Sequence, residues 1–420
     1  MKILLKNCNI ITGKHNEMMF KGNIIINNDI IEKVSSEEIN TSVDKVIDLT
    51  NKYVLPGLIN AHVHLPGSGK PSKKEHNKEF VDKIMKHSLT RSVVKSMCKS
   101  YAKMEVASGT TTIRLVGGLD HFDSQIRDEL KDCGPRILSS DYAMTVDKGH
   151  MAGTVAKIGH NTKEFEEMFK DLKAHNVDLI KIMITGGVLD ATKRGEPGEL
   201  RMHDEEVKFI TSLAHLAGLK VAAHVESSEG VRVALRNNVD TIEHGAKVDG
   251  EIIDLFKQNN ASLVCTISPA SPMSFIDRNI LHLSEEVQYN AKVVFDGIVD
   301  CARECLKNGI TVGLGTDTAC PFVTHYDMYR ELVYAHKYLN VSALDAINMA
   351  TEVNAKILGI DKITGTIEEN KSADLLILSN NPLDNLMYLS HLDKVMYKGK
   401  FVNNKVKKYK DIDKLLDTLM

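Results

Sequence analysis

The sequence predicts an α/β protein: a (β/α)8 TIM barrel carrying a small β-rich unit at each end of the chain. Three observations predict it. Apolar, strand-like runs alternate with amphipathic helical stretches from Pro56 to about Gly359. Histidines and carboxylates collect at the ends of those runs, where barrels of this kind place their active sites. Both chain ends break into short β-rich pieces separated by turn residues.

At the N-terminal end the pieces are "KILLKNCNII", "GNIIINNDIIEKV" and "KVIDL". At the C-terminal end they are "ADLLILS", "KVMYKGK" and "FVNNKV", followed by a polar helix from about Asp411. The barrel runs are eight: "GLINAHVH", "TTTIRLV", "RILSSDY", "LIKIMIT", "KVAAHV", "VDTIEH", "ASLVCTI" and "ITVGLGTD". Several follow a Gly or Asn that suits the left-handed cap of the preceding helix, as in "AHLAGLKVAAH", "ALRNNVDTIEH" and "CLKNGITVGLGTD".

Composition bounds the function. Of 420 residues, 43% are hydrophobic and 26% charged, and the net charge is -3, so nothing advertises a nucleic-acid or anionic-membrane partner. A small-molecule substrate is the expected partner. No apolar run approaches a membrane span, and "MKILLKNCNI" turns polar too early for a secretory signal, so the expected location is cytoplasmic. The seven cysteines contain no C-x-x-C pair, which argues against a disulfide framework or a structural zinc knuckle. Cys301 and Cys305, four apart, read as one buried helix face.

His62 and His64 end the first run. Residues i and i+2 of a strand share a face, so both rings project together. Alone, such a pair is as often a surface pair or two satisfied core histidines. The other strand ends decide for metal: Lys181 lies in the fourth run, His224 ends the fifth, His244 the sixth and Asp317 the eighth. An ammonium ligates nothing, and Lys181 is flanked by apolar residues that penalise its charge. Either it pairs with a carboxylate, or its neutral amine has taken up carbon dioxide as a carbamate that bridges two cations. With His62, His64 and Asp317 around one ion and His224 and His244 around the other, the ligands suffice for two divalent metal ions. Such a pair produces a bridging hydroxide near neutral pH, and Asp317 is the candidate to shuttle its proton.

These motifs, with "AHVE", "IEHG", "GLGTD", "ALDAINMATEVNAKILGI" and "GTIEENKSADLLILSNNPLDNL", resemble the amidohydrolase superfamily over nearly the whole chain. Within it the chain is most similar to the imidazolonepropionase-related, prolidase-like branch of dipeptidases and N-acyl amino acid hydrolases. The resemblance implies the same ligand set, with carboxylated Lys181 as the bridge, zinc as the default metal and a homo-oligomer. It also implies that residues 1–55 and 366–420 form one composite β-sandwich beside a barrel of residues 56–365.

Some positions depart from the branch. Glu226 stands where many members carry an oxyanion-stabilising tyrosine. It either accepts a hydrogen bond from a substrate amine, amide or guanidine, or is a helix-start carboxylate. Leu115 follows Arg114 where relatives often have Arg-Asp, so Arg114 holds a substrate carboxylate or makes a structural salt bridge. His150 matches a pocket-lining loop histidine. "PGSGKPSKKEHNKE" after the metal pair reads as a lid or a solvated loop, and the aromatics of "THYDMYRELVYAHKYLN" read as packing.

The expected activity is hydrolysis of an amide C-N bond in a dipeptide or N-acyl amino acid. A deaminase or a cyclic-amide or lactone hydrolase is the alternative on the same scaffold. Lys181 and the two-residue spacing from His224 to Glu226 disfavour the deaminase, which carries no such lysine and has a three-residue spacing. A non-catalytic assembly protein should lack ligands, and none is missing.

Overall fold

In a computed structural model of the chain, residues 1–71, 78–188, 191 and 193–420 are described, with Glu196 by backbone only. The first strands are β1 (Lys2–Ile10), β2 (Phe20–Asn27), β3 (Ile30–Ser35), β4 (Lys45–Asp48) and β5 (Tyr53–Pro56). The barrel region holds β6 (Leu58–Val63), β7 (Thr110–Leu115), β8 (Arg136–Ser139), β9 (Ala143–Thr145), β10 (Ala156–Ile158), β11 (Leu179–Met183), β12 (Lys220–Val225), β13 (Thr241–His244), β14 (Ser262–Cys265) and β15 (Val312–Leu314). The chain returns through β16 (Leu375–Leu378), β17 (Lys394–Tyr397) and β18 (Lys400–Val402).

Both chain ends build one sheet, ordered β18-β17-β16-β5-β1-β2-β3, with β4 also pairing β1. Alternation in β1 buries Ile3 and Leu5. Asn7, at φ 62, then inserts an irregularity between Leu5 and Cys8 that returns Cys8 and Ile10 to the same core. The sheet curls until its β3 edge meets the approach to β16, where Ile31 N donates to Lys371 O and Asn370 N to Ile31 O, each at 2.8 Å. Ile24, Ile26, Val54, Leu375 and Ile377 fill the enclosed space.

The expected barrel runs are strands β6, β7, β8 and β11 to β15, all parallel to their neighbours in two sheets, β6-β7-β8 and β10-β9-β11-β12-β13-β14-β15. Hydrogen bonds bridge both gaps. On one side Asp317 N reaches His62 O at 2.9 Å and Thr316 N reaches Asn60 Oδ1 at 3.0 Å; on the other Asp178 N reaches Ser139 O at 2.8 Å. The ring is a (β/α)8 barrel. One feature was not expected: the third strand bends at Asp141, φ 54, so that β8 pairs β7 while β9 pairs β11. The caps expected at Gly218, Asn238 and Gly309 have φ 74, 60 and 72.

Side-chain alternation sets what faces inward. Ile180 and Ile182 lie in the core between sheet and helices, so Lys181 between them points into the barrel; Ala223 and Val225 do the same for His224. Cys301 and Cys305 are buried together in the helix Glu285–Lys307.

At the first crossing from the β-rich unit to the barrel a single residue, Gly57, separates β5 from β6. A Cβ there would collide with the Thr111 side chain, so only glycine lets the sheet pass straight into the barrel. The final helix, Lys410–Leu416, leaves the β-rich unit with which the sequence grouped it. Ile412 and Leu416 pack with Ile276, Leu281 and Phe322 of the barrel side. Arg330, 2% exposed, bonds Asp327, Asp413 and Asp417 and so pins this helix. Among the described residues no helix is long and apolar enough to cross a membrane. The lid expected after the metal pair spans residues 66–79, of which 72–77 lie outside the described residues.

Replacing Arg330 by Ala leaves buried Asp327 without its cation. It should destabilise the fold by roughly 3 kcal/mol, the low end for a broken buried pair because Asp417 is half exposed. Urea unfolding followed by circular dichroism checks this, and an unchanged midpoint would refute it.

Candidate metal centre and its buried supports

The structure brings the strand-end residues together at the C-terminal mouth of the barrel. One ligand atom each from His62, His244 and Asp317 lies within 4.8 Å of the others. Asp317 Oδ1 is 3.4 Å from His62 Nε2 and 3.3 Å from His64 Nε2. The ring centroids of His62 and His244 are 4.8 Å apart, and those of His244 and His224 are 4.7 Å apart. Lys181, fully buried, has Glu243, Arg114 and Asp317 as its electrostatic neighbours.

The donor set fits a metal. His64 Nδ1 donates to Gly117 O at 2.7 Å and His224 Nε2 to Gly186 O at 3.3 Å, which leaves each lone pair on the other ring nitrogen. His62 donates from Nδ1 to Glu243 at 2.7 Å, and its buried Nε2 has no hydrogen-bond partner. His244 Nδ1 shares a 2.7 Å hydrogen bond with Thr266. Burial pushes His64 down, and His224 and His244 well down, toward the neutral form that ligation requires. Burial works against the Asp317 carboxylate, but His62, His64 and His244 outweigh it and hold the group well below the ordinary range.

Lys181 Nζ is the second buried polar atom here without a hydrogen-bond partner. Burial lowers its pKa to about 8 against the opposing pull of Glu243, which favours the neutral amine. Of the two readings of Lys181, direct pairing with a carboxylate is not what the structure has.

Two local backbone features place the ligands. His244 and Asp317 take φ 68 and 55, in the left-handed region. At His244 this lets two successive residues, Glu243 and His244, both face the interior. At the β15 end, Gly315 is packed against His62, and a Cβ there would overlap it.

Sequence reasoning missed Glu243. It is fully buried, and Arg114 Nη2 reaches its two oxygens at 2.8 and 2.9 Å. Burial opposes its charge, but Arg114, His62 and Lys181 hold it ionised and far below the carboxylate range. Strand alternation was the available signal, since Thr241 and Glu243 share the inward face and hydrogen-bond each other at 2.7 Å. Arg114 correspondingly takes the structural of its two expected roles. Its Nε donates to Ala61 O, its Nη1 to Thr241 and its Nη2 to Glu243, so it does not offer itself to a substrate carboxylate.

The other expected substrate contacts lie at the mouth. His150 stacks on His224, with centroids 4.2 Å apart. Glu226 is half-buried, with its N-H on Thr185 Oγ1. The cap of the following helix, Ser228–Arg236, is Ser227, whose side chain accepts from Gly230 N, so Glu226 is not needed for capping. Glu226 instead lines a cleft of about 900 Å³ that also takes in Ser228, Gly245, Lys247 and Val293. Changing Glu243 to Gln removes the charge that orients His62. It should weaken metal binding by roughly 10–100-fold in chelator competition; unchanged affinity would reduce Glu243 to a partner for Arg114.

Known proteins resemble the chain over most of its length. The model of the Amidohydrolase family matches residues 53–402. A candidate prolidase from Bifidobacterium longum of known crystal structure is 34% identical, with TM-score 0.87 over 99% of this chain and 98% of its own. A Xaa-Pro dipeptidase crystallised with methionine in its active site is 28% identical, with TM-score 0.84 over 96% of this chain and 100% of its own. The ochratoxinase of Aspergillus niger is 23% identical over 393 residues, 84% of this chain and 78% of its own. With its family model, its fold and its strand-end histidines and aspartate in agreement, the chain belongs to the amidohydrolase family, in its prolidase-like branch.

Proposed function

We propose that the chain hydrolyses the amide C-N bond of a dipeptide or N-acyl amino acid at a centre of two divalent ions, with zinc as the default. The observation that carries this reading is Lys181, a buried amine with no hydrogen-bond partner beside His62, His244 and Asp317. Its neutral form attacks carbon dioxide; an N-C bond forms, a proton leaves, and the resulting carbamate presents two oxygens. His62, His64 and Asp317 would hold one ion, His224 and His244 the other, and the Lys181 carbamate would bridge them. Bound divalent cations supply Lewis acidity and lower the pKa of water toward about 7.

The chain's own residues do the rest. Asp317, held ionised by its histidines, takes the proton of the attacking water at its carboxylate and returns it to the departing nitrogen. His62 is kept in one tautomer by Glu243. Glu226, on the wall of the cleft, accepts a hydrogen bond from a substrate amine, amide or guanidine, and His150 contacts the substrate from its place against the His224 ring. Similarity to a Xaa-Pro dipeptidase supports the dipeptide class, and similarity to an ochratoxinase supports a hydrolase of this family.

Metal content per chain, measured on protein purified with bicarbonate, is the test. We expect close to two ions in the wild type, loss of metal in Lys181→Ala, and turnover of a dipeptide or N-acyl amino acid panel that fails in the variant. One ion, unaffected by the substitution, would refute the bridged centre and bring forward the cyclic-amide hydrolase or deaminase. Glu226→Gln should raise KM for substrates with a free amine while leaving those with a blocked amine nearly unchanged. Equal effects on both series would mean that Glu226 does not read the amine.

A further inference from the structure

A second cluster of metal-capable side chains shares no residue with the barrel-mouth centre. His121 follows β7, and Asp171 and His175 lie one turn apart at the end of the helix Thr162–Ala174. One ligand atom from each lies within 4.8 Å of the others. We propose that His121, Asp171 and His175 form a peripheral site for a divalent transition-metal ion of the zinc, cobalt or nickel kind.

The outer contacts are those of a built site. His121 donates from Nδ1 to Asp141 Oδ2 at 3.1 Å, so its lone pair is on Nε2. Asp141 is fully buried and fixed in turn by Ser124 N at 2.7 Å and Ser124 Oγ at 2.9 Å. His175 donates from Nδ1 to Asp171 O at 2.9 Å, which leaves its lone pair on Nε2 as well. Tyr142 donates to Asp171 Oδ2 at 2.6 Å and orients that carboxylate.

The arrangement calls for a cation. His121 Nε2 lies 3.3 Å from Asp171 Oδ2 and 3.6 Å from Asp120 Oδ1, so this nitrogen is ringed by carboxylate oxygens. The resident cation is Lys157, whose ammonium is 3.6 Å from Asp171, 3.9 Å from Asp120 and 3.6 Å from the Tyr142 ring centre. That side chain is 44% exposed and free to swing into water. Three carboxylates, Asp120, Asp141 and Asp171, then face Arg91 and a divalent ion, and the charges cancel. The rings of His121 and His175 are stacked, with centroids 3.5 Å apart and planes 9° apart. To aim both lone pairs at one ion, the His175 ring must turn; it is 38% exposed and sits just past the helix end. Two imidazoles and one carboxylate leave a coordination position open to water and match borderline divalent ions rather than magnesium or calcium.

Equilibrium dialysis of the full chain against micromolar free zinc, with ions counted per chain, tests the site. His175→Ala should hold one ion fewer than the wild type with hydrolysis unchanged, and Lys157→Met should bind that extra ion about tenfold more tightly. Because the readout is a difference, it holds whatever number of ions the barrel mouth takes. Equal counts in the wild type and His175→Ala, or no change in affinity in Lys157→Met, would overturn the proposal, as would an extra ion seen only at millimolar zinc.

Discussion

Charges buried inside the barrel govern the layout of this site. Arg114, Lys181 and Glu243 all lie where water does not reach, and an isolated ion there would cost several kcal/mol. Glu243 answers the problem by accepting from Arg114 on one side and from His62 on the other. The metal-side face of His62 is therefore fixed by a pair that never touches a substrate. Lys181 is the residue left over: one carboxylate serves two cations and a histidine, and the amine remains without a hydrogen bond.

Much of this was legible in the sequence, and the part that was not has a physical pattern. The eight strand runs were visible because apolar residues recur at strand length between amphipathic helices, and because Gly218, Asn238 and Gly309 mark helix ends. His62, His64, His224, His244 and Asp317 were visible because strand alternation and position within the barrel converge on one mouth. Glu243 was hidden by its neighbour. Alternation allows one inward residue of an adjacent pair, and only the left-handed backbone at His244 allows two. The role of Arg114 depended on a partner 129 residues away, which no local pattern encodes. The bend of the third strand at Asp141 was hidden because a lone Asp inside a strand-like run marks left-handed backbone only weakly.

The loops that carry the ligands are held from outside the barrel as well. Thr318 accepts from His64 N at 3.2 Å and donates to His64 O at 3.1 Å, so the segments bearing His64 and Asp317 are stitched together. Buried His325 bonds Gly67 O at 2.8 Å and Glu105 at 3.3 Å and stacks against Tyr101 at 4.6 Å. The reading of the "THYDMYRELVYAHKYLN" aromatics as packing agrees with burial of Tyr326, Tyr329 and Tyr334. A site made of residues far apart in sequence stays in register because each segment is anchored to at least one other.

Gly57 extends this reasoning to the whole molecule. The last strand of the β-rich unit and the first strand of the barrel are consecutive, and the one residue between them is wedged against Thr111. A chain built this way has no hinge between its two bodies. Through Gly57 the strand that carries His62 is a direct continuation of the β-rich sheet, so the position of that ring is set from outside the barrel as well as from within.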